Sequence, residues 1–415
     1  MNILILHRRP YYKVKYHLGI DHERHEVTYI GTVAQLADIP PTRRCRRVER
    51  LGRRALAEEV SDWLQSQTQA FDRVLALSEY DLLDAAHLRA WFGIPGPLPG
   101  QIEKVRNKVV MKRLVAEIGL RTPRFLPLAA LLDAADAAPW SGRTVLKPVD
   151  GASSEDVTIF ESPRHARAAV TTRQSGVERL DHGAAQQHRY EVEEFVEGPI
   201  LHFDGLVMAG RLRVVTASRY IGTCLDYAQG HPLGSVQIPL TEQAREWVIT
   251  VLRAVGIEHG SFHLEAIQNA QNLVFLEVAG RVGGADVVDT FELATGIHLP
   301  SEELKLLLDG ERASLSAPVT SNHWFGWFVF PGHHLGATHC RLQNYETFAQ
   351  SPLMLRWHRL SEDQPLPRHI TYQALEAPAA GLVRASSSDE AEMFMQTLFR
   401  AIRIVPAPAP EAALS

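Results

Sequence analysis

Short apolar runs and amphipathic stretches alternate over the first hundred residues. Apolar runs with the length and composition of buried strands occupy residues 2–6, 26–30 and 73–77. Residues 53–66 have the period of a helix, and strands that alternate with helices predict a small parallel α/β domain. The Gly- and Pro-rich segment 93–100 marks its end, so the predicted domain spans residues 1–100.

The segment after this boundary has the periodicity of one helix, residues 101–118, with Gly119 placed to end it. Lys104, Lys108 and Lys112 recur every four residues and would share one stripe of that helix. A lysine stripe is usually a solvated face. It can also present cations to an anionic ligand, and the residues further along the chain favour this second interpretation.

Lys147 ends a predicted apolar strand and precedes a loop of small residues. A lysine beside Val145 and Leu146 is costly to bury without an anion, so a phosphate partner would explain its position. The small residues of the loop are Gly151, Ala152, Ser153 and Ser154. Their lack of bulk would let backbone amides and hydroxyls approach phosphate oxygens. They suit an ordinary hairpin turn equally well, and the loop alone leaves both interpretations open.

Acidic residues gather at the end of another predicted strand, within residues 190–198. Glu193, Glu194 and Glu197 lie close together there, a pattern that is most often found at an exposed strand end. The segment 201–215 then has the pattern of a hairpin with an Ala-Gly tip.

Two apolar strands, residues 261–267 and 273–278, flank a polar turn and each carries one carboxylate. Glu265 and Glu277 can lie nearly opposite each other and on one face if the strands form an antiparallel hairpin. Two like charges there need a cation, and Mg²⁺ prefers such hard oxygen ligands. The alternative is a solvated hairpin face, which the apolar neighbours of both glutamates disfavour.

Arg281 follows four residues after Glu277 and supplies a cation able to hold a carboxylate or a transferring phosphoryl group. Gly283 and Gly284 then allow the chain to pass close to a ligand. His263 is a lone histidine beside Glu265, and we interpret it as structural rather than catalytic.

Composition and charge narrow the class of protein. A net charge of -5, from 43 basic and 48 acidic residues without a long tract of one sign, argues against nucleic-acid binding. The 415 residues are 45% hydrophobic and predict a globular protein of two or three domains. The three cysteines have no metal-binding or disulfide spacing, and no apolar stretch is long enough for a membrane span. We therefore expect a cytoplasmic protein without membrane contact.

Taken in order, six short motifs resemble those of the ATP-grasp superfamily, particularly its carboxylate-amine ligases related to bacterial L-amino acid ligases. The motifs are RNKVVMKRLVAEIGLRTPRF, VLKPVDGASSEDV, VEEFVEG, HFDG, FHLEAI and FLEVAGRVGG. Each motif is weak by itself, but six in this order over some 180 residues are specific.

The resemblance implies an α/β and α+β protein with the ATP-grasp fold. A Rossmann-like domain of residues 1–100 would precede a two-lobed nucleotide-binding core of residues 101–310, whose lid lobe spans about residues 123–197. A small C-terminal subdomain would follow at residues 311–405. Residues 406–415 form a Pro- and Ala-rich tail that we predict to be disordered.

The resemblance also implies roles for individual residues. Lys108 and Lys147 would contact ATP, and the loop from Gly151 through Ser153 to Ser154 would fold over its phosphates. Glu193 and Val196 would meet adenine. Glu265 and Glu277 would bind Mg²⁺, while Arg281 would hold the substrate carboxylate or acyl phosphate. The chain departs from the superfamily pattern in two places: Ile200 replaces a ribose-binding glutamate, and Ala279 replaces an asparagine of the metal site.

The predicted function is ATP-dependent formation of an acyl phosphate from an amino acid carboxylate, followed by transfer to an amine to give an amide or dipeptide. A first alternative is transfer to the thiol of a carrier protein, which the cluster Arg43, Arg44, Arg46, Arg47 and Arg50 would recognise unless it is simply a solvated surface. A second alternative is a non-catalytic nucleotide-binding module. The predicted partners are small carboxylates and amines, a carrier protein under the first alternative, and a second copy of the chain in a homodimer.

Overall fold

A computed structural model describes residues 1–134, 138–152, 154–270 and 272–408. Within these residues the strands form a parallel sheet, a small antiparallel sheet, a large antiparallel sheet and a two-stranded sheet. Single 3₁₀ turns occur at Tyr16–Leu18, Glu79–Asp81, Ala184–Arg189, Gly310–Arg312 and His333–Leu335.

The N-terminal unit is built on the parallel sheet, in strand order β3-β2-β1-β4. Its strands are β1 (Asn2–Leu6), β2 (Glu26–Gly31), β3 (Arg46–Glu49) and β4 (Arg73–Ala76). Its helices are α1 (Tyr11–Val14), α2 (Val33–Leu36), α3 (Leu56–Gln65) and α4 (Leu82–Phe92). The predicted strands and helix are therefore confirmed, while β3 was missed because its burial pattern is mostly exposed. An edge strand of this kind lacks an apolar signal.

The prediction of a single helix over residues 101–118 is wrong, because two separate helices occupy this segment. The two helices are α5 (Pro99–Glu103) and α6 (Lys108–Glu117). Asn107 caps the second one, since its side chain accepts hydrogen bonds from the backbone N–H groups of Val109 and Val110 at 3.1 and 3.2 Å. Lys104 therefore lies outside the helix that carries Lys108 and Lys112, and the predicted stripe of three lysines does not exist.

The small antiparallel sheet has the order β5-β8-β6-β7. It comprises β5 (Phe125–Pro127), β6 (Thr144–Pro148), β7 (Thr158–Phe160) and β8 (Tyr190–Glu194), with helices α7 (Leu128–Asp133), α8 (Pro163–Thr171) and α9 (Glu178–Asp181). Leu128, Leu131, Leu146 and Val192 form its apolar core with Val170. These elements lie within the predicted lid lobe.

The large antiparallel sheet has the order β13-β12-β9-β10-β11-β14-β17-β16. Its strands are β9 (Ile200–Met208), β10 (Arg211–Ile221), β11 (Leu233–Ile238), β12 (Gly260–Asn269), β13 (Asn272–Ala279), β14 (Trp324–Phe330), β16 (Met354–Arg359) and β17 (Ala379–Ala385). Ala209 and Gly210 join β9 to β10 with φ of 52° and 67°, as the favoured two-residue hairpin turn requires. Gln271, which lies between β12 and β13 in the chain, is outside the described residues.

The two faces of this sheet differ in chemistry because successive side chains of a strand point to opposite sides. Phe262 and Leu264 of β12 are fully buried against Val248 and Val251 of helix α11 (Glu242–Val255). Their neighbours Ser261, His263 and Glu265 point to the other side, where the candidate site lies. The hydrophobic alternation thus fixes which face is polar. Helix α10 (Cys224–Ala228) lies between β10 and β11 in the chain.

The C-terminal region extends the large sheet, since β14 pairs with β11. Its other elements are α12 (Val287–Thr295), α13 (Leu299–Asp309), β15 (His339–Gln343), α14 (Glu346–Ala349), α15 (Ser388–Ala401) and β18 (Arg403–Ala407). The proposed boundary at residues 310 and 311 therefore falls before strands that continue the core sheet. Pro406 and Ala407, which we assigned to a disordered tail, are paired in β18 with β15; residues 409–415 lie outside the described residues.

Within the described chain, no helix combines the length and the apolar character that a membrane crossing would need. Cys45, Cys224 and Cys340 are all free thiols.

Candidate functional site

One cleft brings together most of the residues that the sequence pointed to. Its lining includes the predicted residues Lys108, Lys147, Gly151, Ser154, Glu193, Val196, Glu265 and Glu277. The small antiparallel sheet supplies Lys147 and Glu193, and the large sheet supplies Glu265 and Glu277. Ser153, which we also expected there, lies outside the described residues. Ile200, which replaces the expected ribose-binding glutamate, lines the cleft as well.

Lys108 begins helix α6 and links the loop to the carboxylates. Its Nζ donates to the Gly151 carbonyl oxygen at 2.6 Å and lies 3.0 Å from Oε2 of Glu277. Its backbone N–H donates to the carbonyl of Val149 at 2.7 Å, which ties the helix start to the loop. Lys108 is 8% exposed and therefore places a cation in the wall of the cleft, between the predicted phosphate loop and the predicted metal ligands.

The loop after Lys147 has an irregular backbone. Ser154 and Asp156 both have positive φ, 55° and 58°, a conformation that residues with a side chain rarely adopt. Asp156 accepts a hydrogen bond from the Tyr190 hydroxyl at 3.0 Å, and Arg106 donates to the Asp150 carbonyl at 2.6 Å. The loop is thus fixed at both ends by residues of other elements.

Four charged side chains form a buried quartet at the inner end of the cleft: Lys112, Lys147, Glu191 and Glu193. Lys112 is fully buried and its Nζ lies 2.7 Å from Glu191 and 2.5 Å from Glu193. Lys147 lies 2.6 Å from the other oxygen of Glu193. The anion that accompanies Lys147 in this structure is thus Glu193, whereas the sequence argument had offered only a phosphate.

The pKa values within the quartet move in opposite directions. Burial alone would raise the pKa of Glu193, but Lys112 and Lys147 lower it below its ordinary value. Burial outweighs the same lysines at Glu191 and raises its pKa. Oε2 of Glu191 is buried and has no hydrogen-bond partner among the described residues. Glu193 therefore carries the negative charge that both lysines share.

Glu265 and Glu277 are direct cross-strand partners, as the hairpin argument predicted. Oε1 of Glu265 accepts from the Tyr220 hydroxyl at 2.9 Å and from Nε2 of His263 at 3.1 Å. Burial would raise the pKa of Glu265, but these contacts, His263 foremost, lower it. Oε2 of Glu265 and Oε1 of Glu277 have no polar partner among the described residues, so each glutamate keeps one open oxygen.

His263 belongs to a buried chain of hydrogen bonds rather than standing alone. Its Nδ1 lies 2.8 Å from Asp204, whose other oxygen lies 2.6 Å from Nδ1 of His202. Nε2 of His202 lies 2.6 Å from the Ser235 hydroxyl. Burial would lower the pKa of His263, but Asp204 and Glu265 raise it to about 10.

Arg281 is not part of the cleft lining and lies beside the N-terminal unit, where it contacts Glu79. Its Nε donates to Glu79, and its Nη1 donates to the Val282 carbonyl at 2.7 Å. Glu79 also accepts from Arg106. Burial would raise the pKa of Glu79, but the two guanidinium groups lower it to about 2. A carboxylate of the 3₁₀ turn that follows β4 therefore fixes the direction of the predicted substrate-binding arginine.

A second arginine, Arg9, approaches the same region from the end of β1. It has no ion pair or hydrogen bond within the described residues. Burial and the charge of Arg281 lower its pKa to about 10. Glu303 lies near it, and burial raises the pKa of Glu303 to about 7 although Ser261 donates a hydrogen bond to it. The carboxyl ends of parallel strands are a usual place for ligands.

The sequence analysis missed Lys112, Glu191, Tyr220, Asp204, Glu79 and Arg9. Lys112 carried a signal, the four-residue spacing to Lys108, but that spacing also suits a solvated face. Glu79 and Arg281 are 202 residues apart in the chain, and no local pattern links them. Ala279, which replaces the expected metal-site asparagine, ends β13 opposite His263.

The cleft, with its loop, its lysines and its carboxylate pair, lies largely within a segment that matches the ATP-grasp domain. Residues 141–289 match the family model of the ATP-grasp domain, and this match confirms the predicted resemblance to the superfamily. The particular relatives narrow the comparison further. The chain is 26% identical over 269 residues to an L-arginine-specific L-amino acid ligase of Bacillus subtilis. The aligned segment covers 63% of each of the two chains.

Solved structures agree on the fold. An L-amino acid ligase from Bacillus licheniformis has a TM-score of 0.71 at 21% identity and covers 98% of both chains. An N5-carboxyaminoimidazole ribonucleotide synthetase from Thermotoga maritima has a TM-score of 0.64 at 15% identity, covering 98% of this chain and 99% of the other. At these identities the likeness establishes the ATP-grasp fold, and it confirms the predicted fold class.

Proposed function

We propose that this protein is an ATP-dependent ligase that activates an amino acid carboxylate as an acyl phosphate and joins it to an amine. The observation that carries the proposal is the convergence of Lys108, Lys147, Glu265 and Glu277 in one cleft between two lobes. Cations that neutralise phosphate charge and carboxylates that hold a metal are the recurring parts of phosphoryl-transfer sites. The similarity to the Bacillus subtilis ligase favours an amino acid as the substrate.

The donor set fits Mg²⁺. Glu265 and Glu277 are on neighbouring strands and each retains one carboxylate oxygen without a partner among the described residues, which suits a small cation that prefers oxygen. When bound there, Mg²⁺ would neutralise charge on the phosphates. Lys108 contributes a fixed positive charge beside Glu277, and Lys147 contributes one on the facing lobe.

Two guanidinium groups are suited to the carboxylate substrate. Arg281 is oriented by Glu79, and Arg9 has no ion pair in the described chain. We propose that they hold the carboxylate while one of its oxygens attacks the γ-phosphorus and the bond to ADP breaks. The amine then attacks the acyl carbon, phosphate leaves, and the amine loses a proton.

The roles of the nucleotide residues follow the same proposal. Lys108, Lys147 and the loop containing Gly151 and Ser154 would contact the phosphates. Val196 and the backbone around Glu193 would contact adenine, while the Glu193 side chain holds Lys147. This positioning, rather than covalent chemistry by the protein, would supply the rate enhancement.

No observation in the described chain favours a carrier protein as the acceptor. Of the arginine cluster that suggested it, Arg44 lies 2.8 Å from Glu26 and Arg50 lies 3.0 Å from Glu59. Arg47 donates to backbone carbonyls of its own domain. The homodimer and the cytoplasmic location stay predictions.

The test is release of ADP and phosphate from ATP and Mg²⁺ with amino acids supplied singly and in pairs, followed by mass spectrometry of the products. We expect ADP release that depends on an amino acid, and a mass equal to two amino acids less one water. Glu277→Gln is the matched inactive control. Absence of ADP with every amino acid and peptide would refute the ligase proposal.

A further inference from the structure

We infer that Asp204 and His263 are a positioning pair that holds the Glu265 carboxylate for metal binding, an inference that rests on the proposed function. Neither residue lines the cleft, and neither would touch the nucleotide or the metal itself. Their effect would pass through Glu265 alone.

Strand register brings the pair together. In the pairing of β9 with β12, His263 lies opposite Asp204, and Glu265 lies opposite His202. Residues two apart on a strand share a face, so all four side chains lie on the polar side of the sheet. The contact is therefore built into the backbone pairing and does not depend on a mobile loop.

The hydrogen bonds of His263 link Asp204 on one side to Glu265 on the other. His263 has a carboxylate at each ring nitrogen, Asp204 at 2.8 Å from Nδ1 and Glu265 at 3.1 Å from Nε2. Each ring nitrogen is thus within hydrogen-bonding distance of one carboxylate oxygen. The Tyr220 hydroxyl donates to the same Oε1 of Glu265 at 2.9 Å. Two donors thus fix one oxygen of Glu265 and leave the other oxygen for a cation.

Asp204 is itself immobilised, which allows it to fix the histidine. It is 1% exposed, and its second oxygen lies 2.6 Å from Nδ1 of His202. Gly283 packs directly on the pair, because a Cβ at that position would lie 2.9 Å from Oδ1 of Asp204 and 3.0 Å from Nδ1 of His263. The glycine loop after Arg281 therefore closes over the pair.

The pair counteracts the electrostatic repulsion between Glu265 and Glu277. Glu265 faces Glu277 across the hairpin, and two like charges at such a position push each other apart. Without His263, Glu265 could rotate away from Glu277 and the two open oxygens would diverge. Groups that orient metal ligands in this way typically change metal affinity by about 10–100-fold when they are removed.

The side chains of His202, Asp204 and His263 also have ligand atoms within 4.8 Å of one another, which raises the alternative of a metal held by these three. Each Asp204 oxygen, however, already accepts an N–H from one histidine. The two histidines thus occupy both oxygens of Asp204, and we assign the three residues to a hydrogen-bonded chain.

The experiment is titration of the full-length protein with Mn²⁺ in the presence of ADP, with free Mn²⁺ followed by electron paramagnetic resonance. For His263→Gln we expect Mn²⁺ affinity to fall about 10–100-fold. The affinity for ADP in the presence of a chelator should stay at the wild-type value. His202→Gln is the matched comparison, because His202 contacts the same Asp204 but does not hydrogen-bond to Glu265, and its Mn²⁺ affinity should fall less than that of His263→Gln.

Wild-type Mn²⁺ affinity in a folded His263→Gln would overturn the inference, as would an equal loss in His202→Gln or an equal loss of metal-free ADP binding. If His263→Gln does not fold, Asp204→Asn replaces it with the same expectations, since the amide keeps the shape of the carboxylate. If the wild type itself binds neither ADP nor Mn²⁺, the proposed function fails instead, so the two failures are distinguishable.

Discussion

Two clusters of carboxylates and cations face each other across the cleft, and they differ in how completely their charges are paired. In the lid lobe, both oxygens of Glu193 are engaged by lysines, and Lys112 is fully buried. On the large sheet, Glu265 and Glu277 have side chains that are 13% and 33% exposed, and each keeps an open oxygen.

The difference separates structural from ligand-binding chemistry. Lys112 is fully buried and its partners are all supplied by the protein, so it has little capacity left for a ligand and its removal should mainly affect folding. A carboxylate with a free oxygen beside a cleft can bind a cation, and its removal should mainly affect activity. Both clusters combine glutamates with lysines, so residue type alone does not distinguish them, whereas the pairing of their charges does.

The largest effect should come from the closed cluster. Lys112→Met removes the central cation and leaves Glu193 and Glu191 with fewer partners in a buried place. We expect a loss of about 3–5 kcal/mol in the free energy of unfolding. Urea unfolding followed by circular dichroism measures it. Arg113→Met, at the neighbouring exposed position of the same helix, is the control and should stay near the wild type.

The next effect should come from the open cluster and should appear in kinetics. Glu277→Gln keeps the shape of the side chain but removes the charge, and we expect kcat to fall about 10²–10³-fold. The unfolding midpoint should change little because Glu277 is partly exposed. Turnover at the wild-type level would contradict the assignment of Glu277 to the metal site.

Glu79 should affect both stability and activity. Its side chain is only 10% exposed, and it orients Arg281. Its pKa is about 2 in the folded protein against an ordinary 4.5, since Arg281 and Arg106 outweigh its burial. This stabilisation is complete above the ordinary pKa and is lost as the pH falls toward 2. Glu79→Gln should therefore remove on the order of 3 kcal/mol at pH 7 and progressively less below pH 4.5.

Denaturant unfolding of the wild type and Glu79→Gln at several pH values measures this difference. The gap between the two proteins should narrow as the pH falls from 4.5. A gap that is independent of pH would show that the lowered pKa of Glu79 is not its source. The same variant should raise KM for the carboxylate substrate more than KM for ATP.

The smallest effect is expected at Glu191, although it is as buried as Lys112. Burial raises the pKa of Glu191, and its Oε2 has no hydrogen-bond partner in the part of the chain that the structure describes. Glu191→Gln keeps an acceptor for Lys112, so stability should stay within about 1 kcal/mol of the wild type. Urea unfolding beside Glu193→Gln sharpens the comparison, because Glu193 serves both lysines and its variant should lose more.

Much of the fold and part of the site could be predicted from the sequence. Hydrophobic alternation and a polar turn placed Glu265 opposite Glu277, and the pairing of β12 with β13 confirms it. The motif order identified the superfamily, which the match of residues 141–289 confirms. These features are local or lie on consecutive strands, so short-range periodicity contains them.

Other parts of the site needed contacts between distant segments. The break before Lys108 depends on the Asn107 cap and on the hydrogen bond from Lys108 to Val149, and helical periodicity continued through it. Lys112 has the same sequence signal as an exposed lysine, and only Glu191 and Glu193 make its burial favourable. For the same reason Arg281 could be named from the sequence, whereas its partner Glu79 could not.

The sequence by itself determined the alternation of strands and helices in the first domain, the polar face of β12 and the presence of a carboxylate hairpin, because each follows from side-chain periodicity along a few residues. The tertiary structure decided which charges are closed and which are open. The roles of Lys112, Glu265 and His263 all depend on strands and helices that meet only after folding. The pairing of their charges follows from distances in the folded protein, and spacing along the sequence does not contain it.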